Sequence, residues 1–117
     1  MKAHHKLKVW RRSIDYGIDI YKLTEEFPKS ELYGLTNQMR RAAISIASNL
    51  AEGAGRNSKR EFKKFLSISQ RSVAELETQL IISEKLGHCR NIDSLFSELD
   101  EISKMIIGLS KSLGKND

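Results

Sequence analysis

The sequence contains little proline and little cysteine, and each shortage excludes a class of protein. Pro28 is the only proline and Cys89 the only cysteine among the 117 residues. A lone cysteine cannot form a disulfide framework within the chain and favours a reducing compartment, so we expect a cytoplasmic protein. With one proline and abundant Leu, Ile, Ala, Lys, Glu and Ser, the composition favours helices.

Long apolar runs are also missing. No segment approaches the roughly 18 uninterrupted apolar residues of a membrane span. The amino terminus is basic, but it lacks the apolar run of a signal peptide because Lys8, Arg11, Arg12 and Asp15 interrupt it. We therefore expect a soluble, internal protein with no membrane partner.

Length and composition predict one folded domain over residues 1–117. The chain is long enough to bury a stable core without disulfides or metal ions. Its composition, with 39% hydrophobic and 30% charged residues, is ordinary for a soluble globular protein. Neither a linker, an internal repeat nor a low-complexity tract divides it.

The formal charge of +5 is unevenly spread along the chain. Residues 1–71 carry 15 Lys and Arg against 7 Asp and Glu, whereas residues 72–117 carry 5 against 8. This asymmetry suggests an acidic partner for the first half, most simply nucleic acid. A solvated basic face without a partner is the alternative.

Apolar residues recur at steps of three and four in four segments, which predicts four amphipathic helices. We expect them over Leu7–Phe27, Leu35–Glu52, Lys59–Leu86 and from Asn91 onward, with a short connection, of about one helical turn, over Lys29–Tyr33 and a frayed tail over Gly114–Asp117. The predicted buried seams of the first, third and fourth helices are Leu7, Trp10, Ile14, Gly17 and Tyr21; Phe62, Phe65, Ser69, Val73, Leu76 and Leu80; and Ile92, Leu95, Leu99, Ile102, Ile106, Leu109 and Leu113. Short connections then predict an all-α, antiparallel up-down-up-down four-helix bundle.

Several local signals refine these helices. The second helix is small and apolar nearly all round, which predicts burial on all sides. Gly17 on the first seam suggests a close helix crossing. Gly53 and Gly55 could take positive φ at a helix end. Ser58 with Glu61 predicts a capping box, and Asn91 could cap the fourth helix.

Four isoleucines lie off the predicted seams, namely Ile44, Ile81, Ile82 and Ile107. Scattered apolar residues are normal on a monomer surface. If these four aligned along one edge, they would form a patch larger than monomers usually expose, and therefore a self-association interface.

Signals for catalysis or for metal binding are weak. His4, His5 and His88 lack the helical spacing of a zinc or di-iron site, and no Glu-x-x-His pair occurs. Cys89 beside His88 is better explained as a loop thiol next to a surface histidine than as a nucleophile with its base. GAGRNSKRE lacks the Gly-Lys-Ser/Thr order of a phosphate-binding loop. We expect no enzyme activity, no metal and no cofactor.

A group of basic residues around the start of the third helix is the strongest functional signal. Arg60, Lys64 and Arg71 share one face of the third helix, and Lys63 lies beside them, while Arg56 and Lys59 stand at the entrance of the helix. Cations at a helix amino terminus suit phosphate. A solvated face, partly neutralised by Glu52 and Glu61, is the alternative, and no aromatic residue interleaves the stripe to stack bases.

Arg40 and Arg41 lie about 100° apart on a helix, so one can face inward while the other faces outward. An inward arginine would need a carboxylate, for which Asp15, Asp19 and Glu75 are candidates. The outward one could contact a partner. Asn49 and Glu52 are expected to be hydrogen-bonded structural residues.

The segment from Phe27 to Ser69 and the following AELETQLIISEKLG resemble the four-helix-bundle protein family encoded in intervening sequences of bacterial large-subunit ribosomal RNA genes. The resemblance covers Val9–Gly87 and rests on Phe27-Pro28, Arg40-Arg41-Ala42-Ala43, Asn49-Leu50-Ala51-Glu52-Gly53 and Arg56. It implies an up-down bundle assembled as a ring-shaped homopentamer. It also implies kinship with the accessory variability protein of diversity-generating retroelements, which binds nucleic acid and a reverse transcriptase.

Together these patterns predict a non-enzymatic, oligomeric bundle that binds nucleic acid, RNA rather than DNA, through phosphates. The expected binding residues are Arg41, Arg56, Lys59, Arg60, Lys63, Lys64 and Arg71. The main alternative is a protein-interaction module whose basic face docks an acidic protein. An enzyme acting on RNA is a third, for which the sequence offers no candidate base.

Overall fold

The computed structural model describes residues 2–114, in which all regular secondary structure is helical and no strand occurs. Its four long helices are α1 (Lys8–Thr24), α2 (Asn37–Ala54), α3 (Lys59–Lys85) and α4 (Asp93–Ser112). Helix α2 packs on α1 and α3, and α4 packs on the same two helices. The body measures 46 × 22 × 20 Å. The predicted all-α chain of four helices is confirmed, while the expected fraying of 115–117 lies outside the described residues.

Short turns complete the chain. One turn over Ala3–Lys6 precedes α1, and a 3-10 turn over Lys29–Glu31 followed by a wider turn over Leu32–Thr36 joins α1 to α2. Helix α1 ends at Thr24, three residues before the predicted end. Within the described range, no helix combines the length and apolar character that crossing a membrane requires.

The core contains the predicted seams of α3 and α4, except that Phe65 of α3 is partly buried outside it. Leu76, Leu80, Leu99 and Ile102 are fully buried, and Leu95, Leu109 and Leu113 pack against them from partly buried positions. Leu66, which the seam of α3 omitted, is buried as well. Steps of three and four residues, which alternate strictly only in α4, therefore identified the inward face of both helices.

Helix α1 presents a different face to the core from the one that the sequence predicts. Its buried residues are Val9, Ser13, Tyr16, Ile20 and Thr24. The predicted seam residues Ile14 and Tyr21 are exposed, as is Ile18. A Cβ added at Gly17 would meet nothing within 4 Å, so no close crossing exists there among residues 2–114.

Helix α2 is not buried on all sides. Its inner face holds Ala42, Ala43, Ile46, Ala47 and Leu50. Its outer face is open, where Arg41, Ile44, Ser48 and Glu52 are exposed. Small alanines made the helix look uniformly apolar, but the polar residues between them define a solvent side.

The off-seam isoleucines are all exposed, and those of α3 and α4 lie at different levels along the bundle. Ile107 lines a groove with Ser67 and Gln70 of α3. Ile81 lies eleven residues beyond Gln70, which corresponds to roughly 16 Å along the helix. The exposed isoleucines of α3 and α4 are therefore separate features of the surface.

The local capping predictions are confirmed in part. Ser58 Oγ accepts a hydrogen bond from the Glu61 amide at 3.1 Å. The glutamate does not complete the box, because its carboxylate lies 3.8 Å from Arg56. Asn91 does not cap α4, which begins two residues later without a side-chain cap; instead it adopts a left-handed φ of 59°.

Polar contacts tie the helices together at defined levels. Tyr16 Oη donates to the Leu95 carbonyl at 2.8 Å, and burial raises the pKa of this phenol. Ser69 Oγ donates to the Ile46 carbonyl at 2.9 Å. The Arg12 guanidinium donates to Glu98 at 2.9 Å, and this hydrogen bond raises the pKa of Arg12. Each of these polar groups is satisfied across a helix interface, as buried polar groups require.

Candidate nucleic-acid interface

The turn between α2 and α3 is tight because Gly53 lets the two helices approach closely. A Cβ at Gly53 would lie 2.8 Å from Phe65 Cβ and 3.0 Å from Phe62 Cδ1. Neither Gly53 nor Gly55 has a positive φ; Gly55 caps α2 with φ −86°. The glycine therefore serves close packing rather than an unusual backbone angle, which corrects the sequence-based interpretation.

Arg56 is held in place at this turn by three neighbours. Its guanidinium lies 2.9 Å from the Glu52 carboxylate, 3.8 Å from Glu61 and 4.9 Å above the ring of Phe65. Two carboxylates partly neutralise its charge, so the arginine acts as a fixed, oriented donor rather than as a free cation. The predicted pair with Glu52 is confirmed.

The cations that follow on α3 are not neutralised in this way. Lys59, Arg60 and Lys64 are exposed, and none takes part in an ion pair among residues 2–114. Arg60 and Lys64 line a shallow depression together with Arg56, Ser58, Glu61 and Phe65. We call Arg56, Lys59, Arg60 and Lys64 the basic cluster.

Arg71 continues the same helix away from the basic cluster. It is exposed, and it too takes part in no ion pair among the described residues. Seven residues separate it from Lys64, which places it roughly 10 Å further along the helix. That is a separation over which an extended ligand could contact both.

Lys63 faces a different neighbour. Its ammonium donates to the Gly114 carbonyl at the end of α4, and the side chain is half-buried. It borders an apolar groove between α3 and α4 with Ile107 and Lys111. Its position in the sequence suggested that Lys63 shares the open surface of the basic cluster. In the structure it lies instead at the groove between α3 and α4.

Arg41 lies well away from the basic cluster. It is exposed and borders a groove between α2 and α3 with Gln38, Glu75 and Gln79. Glu75 is fifteen residues along α3 from Arg60, or roughly 22 Å. One compact ligand could not contact both arginines.

Its neighbour Arg40 is the inward arginine, but no carboxylate holds it. The guanidinium donates to Thr24 Oγ1 at 2.8 Å and to the Tyr21 carbonyl at 3.2 Å, and it lies 4.5 Å above the Tyr21 ring. The predicted ion pair is wrong, because a hydroxyl, a carbonyl and an aromatic face supply what a carboxylate would. Asn49, by contrast, forms the expected structural hydrogen bond, to the Ser45 carbonyl at 2.9 Å.

The amino-terminal turn adds residues that the sequence pattern missed. Lys2 and His4 line a depression with Gly55 and Arg56, next to the basic cluster. His4 and His5 form an aromatic group with Trp10. Some fifty residues separate these rings from Arg56, so no local spacing could have indicated the contact.

Titratable groups at the α3–α4 loop are structural. His88 Nε2 lies 2.9 Å from the Glu31 carboxylate, and this hydrogen bond lowers the pKa of Glu31. Burial raises the pKa of the Cys89 thiol, which does not suit a nucleophile. Among the described residues, no group of three or more His, Cys, Asp or Glu side chains is placed to hold a metal ion.

Fold and surface together define an all-helical, four-helix protein with a basic cluster at the turn between its second and third helices. The chain belongs to the 23S rRNA-intervening sequence protein family, whose sequence model matches residues 5–108. The match includes most of α4, for which the residues alone showed agreement only in pattern. A comparison with curated proteins gave no significant match.

Proposed function

We propose that this protein binds structured RNA through its phosphates and catalyses no reaction. The observation that carries the proposal is the run of exposed cations on α3, since Lys59, Arg60, Lys64 and Arg71 take part in no ion pair within residues 2–114. Unpaired surface cations attract phosphate and release its counterions on binding.

Arg56 gives the basic cluster a fixed point. Its guanidinium is oriented by Glu52 and by the face of Phe65, whereas Lys59 and Lys64 are mobile point charges on flexible stems. Contacts of this kind position a nucleic acid without reading its sequence. The family's description as an rRNA-intervening sequence protein supports RNA over DNA as the ligand.

We also propose the antiparallel up-down-up-down arrangement of the helices. Pairs of contacts run in opposite directions along neighbouring helices. Met39 Sδ and Ile46 O of α2 contact Ser83 and Ser69 of α3, respectively. On α1 and α4, Arg12 and Tyr16 contact Glu98 and Leu95. In both pairs, residue numbers rise along one helix while those of the contact partners fall along the other. Neighbouring helices that run antiparallel support the up-down-up-down arrangement.

A further part of the proposal is that copies of the chain associate through α1. Ile14, Ile18 and Tyr21, which are 41%, 50% and 40% exposed, follow one another at steps of four and three. Gly17 lies between them with open space above it, where the backbone of another helix could approach. A ring of five copies, the relation to the accessory variability protein and a cytoplasmic location remain predictions.

The test of RNA binding compares two double variants with the same change in net charge. Arg60→Glu with Lys64→Glu alters the basic cluster, whereas Lys85→Glu with Lys104→Glu alters exposed residues elsewhere. Fluorescence anisotropy would measure binding to a structured RNA and a matched duplex DNA at low and physiological salt. We expect the first variant to weaken binding to all sequences and to reduce the log–log salt slope by about two.

Equal affinity of the two variants would overturn the proposal. So would the absence of RNA and DNA binding at low salt. In that case an acidic protein becomes the partner to seek, and a pull-down that survives nuclease treatment would identify it. Helical content by circular dichroism would verify that each variant remains folded.

A further inference from the structure

Three partly exposed aromatic rings form a group beside the basic cluster. The ring centroids of His4 and Trp10 lie 4.8 Å apart in an edge-to-face arrangement, those of His4 and His5 4.5 Å apart, and those of His5 and Trp10 5.5 Å apart. Trp10 also packs against the core, whereas both histidines belong to the turn over Ala3–Lys6. We call these three residues the aromatic group.

The turn that carries the histidines is hydrogen-bonded to the residues that follow it. The Arg11 guanidinium donates to the His5 carbonyl at 2.7 Å, and the Leu7 amide donates to the His4 carbonyl at 3.0 Å. The turn also packs against α2. His4 is therefore presented by a fixed backbone.

The depression under His4 joins the aromatic group to the basic cluster. Its lining includes Lys2 and His4 on one side and Ser48, Glu52, Gly55 and Arg56 on the other, and Glu52 there is the ion-pair partner of Arg56 at 2.9 Å. Arg56 also borders the adjoining depression with Arg60 and Lys64. An aromatic ring and a phosphate-binding arginine thus face one concavity, which is the arrangement that proteins use for nucleotides of single strands and loops.

We propose that the aromatic group stacks an unpaired nucleobase of RNA whose phosphate contacts Arg56, so that the preferred ligand contains a single-stranded or looped segment. The proposal rests on the proposed function, because it deepens the same phosphate-binding surface. Bases within a duplex stack on one another and are not free to stack on His4. A duplex would consequently use the basic cluster alone.

The electrostatics of His4 suit stacking rather than ion pairing. Burial, His5 and Lys2 all lower its pKa, which favours the neutral imidazole. A neutral ring presents a π-face to a base, while Lys2 and Arg56 supply the positive charge. The alternative is that both histidines merely cover Trp10, and it predicts no effect on ligand preference.

Trp10 is the only tryptophan and serves as a reporter. Its fluorescence would be followed while the full chain is titrated with single-stranded oligoadenylate, a blunt RNA duplex and inorganic polyphosphate. We expect saturable quenching by oligoadenylate alone, although all three bind the basic cluster. Equal quenching by polyphosphate would overturn the proposal, since polyphosphate has no base to stack.

Two substitutions of His4 then separate stacking from other effects. His4→Ala should weaken binding of oligoadenylate about tenfold and leave duplex binding unchanged. His4→Phe retains an aromatic face without the imidazole nitrogens and should restore the affinity. Circular dichroism would confirm that both variants are folded.

The outcomes distinguish this inference from the proposed function. If His4→Ala binds oligoadenylate as tightly as the unaltered chain does, stacking is wrong while phosphate binding stands. An equal loss of duplex affinity in His4→Ala would also overturn stacking, because it would show that His4 contributes to the binding of any RNA and not to base stacking in particular. If no RNA binds to the unaltered chain, the proposed function and the stacking site both fall.

Discussion

At the scale of single residues, the absence of a side chain at Gly53 sets the distance between α2 and α3 beneath the basic cluster. Phe62 and Phe65 occupy the space that a Cβ would need. Phe65 in turn supports Arg56. The packing of one glycine is therefore linked to the orientation of Arg56 in the basic cluster.

Gly53→Ala should destabilise the fold. The new methyl group would lie 2.8 Å from Phe65 Cβ, which is bonded to the backbone and cannot move freely. Overpacking of this kind costs about 1–3 kcal/mol, more than the roughly 1 kcal/mol that alanine gains over glycine in helix propensity. The free energy of unfolding in urea measures the difference.

Gly108→Ala is the matched control, because Gly108 also lies inside a helix but has nothing within 4 Å of an added Cβ. We expect this variant to gain about 0.5–1 kcal/mol. A stability for Gly53→Ala equal to or above that of the unaltered chain would contradict the packing argument.

Residue identity alone predicted some contacts and missed others for a physical reason. The Glu52–Arg56 pair follows from a four-residue helical step and could be predicted. Arg40 could not, since Thr24, a backbone carbonyl and the face of Tyr21 together satisfy it, and such acceptors occur throughout any sequence. Likewise, His4 and Arg56 border one depression only because tertiary packing brings the amino-terminal turn beside α2.

At the scale of elements, α1 shows why periodicity identified the helix but not its inner face. Two stripes of this helix repeat at steps of three and four. The buried one includes Ser13 and Thr24, whose hydroxyls each donate to the carbonyl four residues earlier at 2.8 Å. These bonds make polar residues compatible with the core. The more apolar stripe, with Ile14 and Ile18, is the exposed one.

Helix α4 has no such ambiguity. Its heptad stripe is unbroken, and Leu99, Ile102 and Ile106 on that stripe are buried, whereas the off-stripe Ile107 is exposed. The sequence thus predicts the core where one stripe is apolar. It cannot choose between two stripes where a face of the helix outside the core is apolar as well.

A hydrogen bond between His88 and Glu31 joins the α3–α4 connection to the α1–α2 connection. The Glu31 carboxylate accepts from His88 at 2.9 Å and from the Leu35 amide at 3.3 Å. Both hydrogen bonds lower the pKa of Glu31 in the folded chain, and the one from His88 has the larger effect. In the unfolded chain both bonds are lost, and Glu31 binds protons at a higher pH.

Stability should therefore decline in acid partly through Glu31. Its contribution is fully present above the ordinary pKa of a glutamate and is lost as the pH falls through the lower pKa of the folded state. Thermal unfolding from about pH 7 to about pH 3 should show a smaller decline for Glu31→Gln than for the unaltered chain. The amide can still accept from Leu35.

Glu101→Gln provides a comparison for this titration, because Glu101 is exposed on α4 and its nearest cation, Lys104, lies 3.9 Å away. It should follow the unaltered chain across the whole range. If Glu31→Gln follows it too, the tie between the connections contributes no pH-dependent stability.

At the scale of the whole molecule, charge and apolar surface occupy different places. The basic cluster stands at the turn between α2 and α3, and the apolar stripe of Ile14, Ile18 and Tyr21 runs along α1. The excess of positive charge in residues 1–71 predicted the first feature. The second could be recognised only when α1 was seen to bury its other face.

Because the two surfaces are separate, the proposed assembly and the proposed RNA binding can be tested independently. Ile18→Lys places a charge at the centre of the α1 stripe, where the side chain is exposed in a single copy and its replacement leaves the core intact. Burying that lysine between copies would be costly, so we expect dissociation to a mass of 13.3 kDa. Size-exclusion chromatography with light scattering measures it.

Ile107→Lys is the appropriate comparison, because Ile107 is similarly exposed but lies in the groove between α3 and α4. This variant should keep the mass of the unaltered chain, which we expect to be a multiple of 13.3 kDa. Dissociation by Ile107→Lys alone would move the interface to α4. A mass of 13.3 kDa for the unaltered chain would refute self-association. The α1 stripe would then be a solvated apolar surface of a monomer, and RNA would bind one copy at a time.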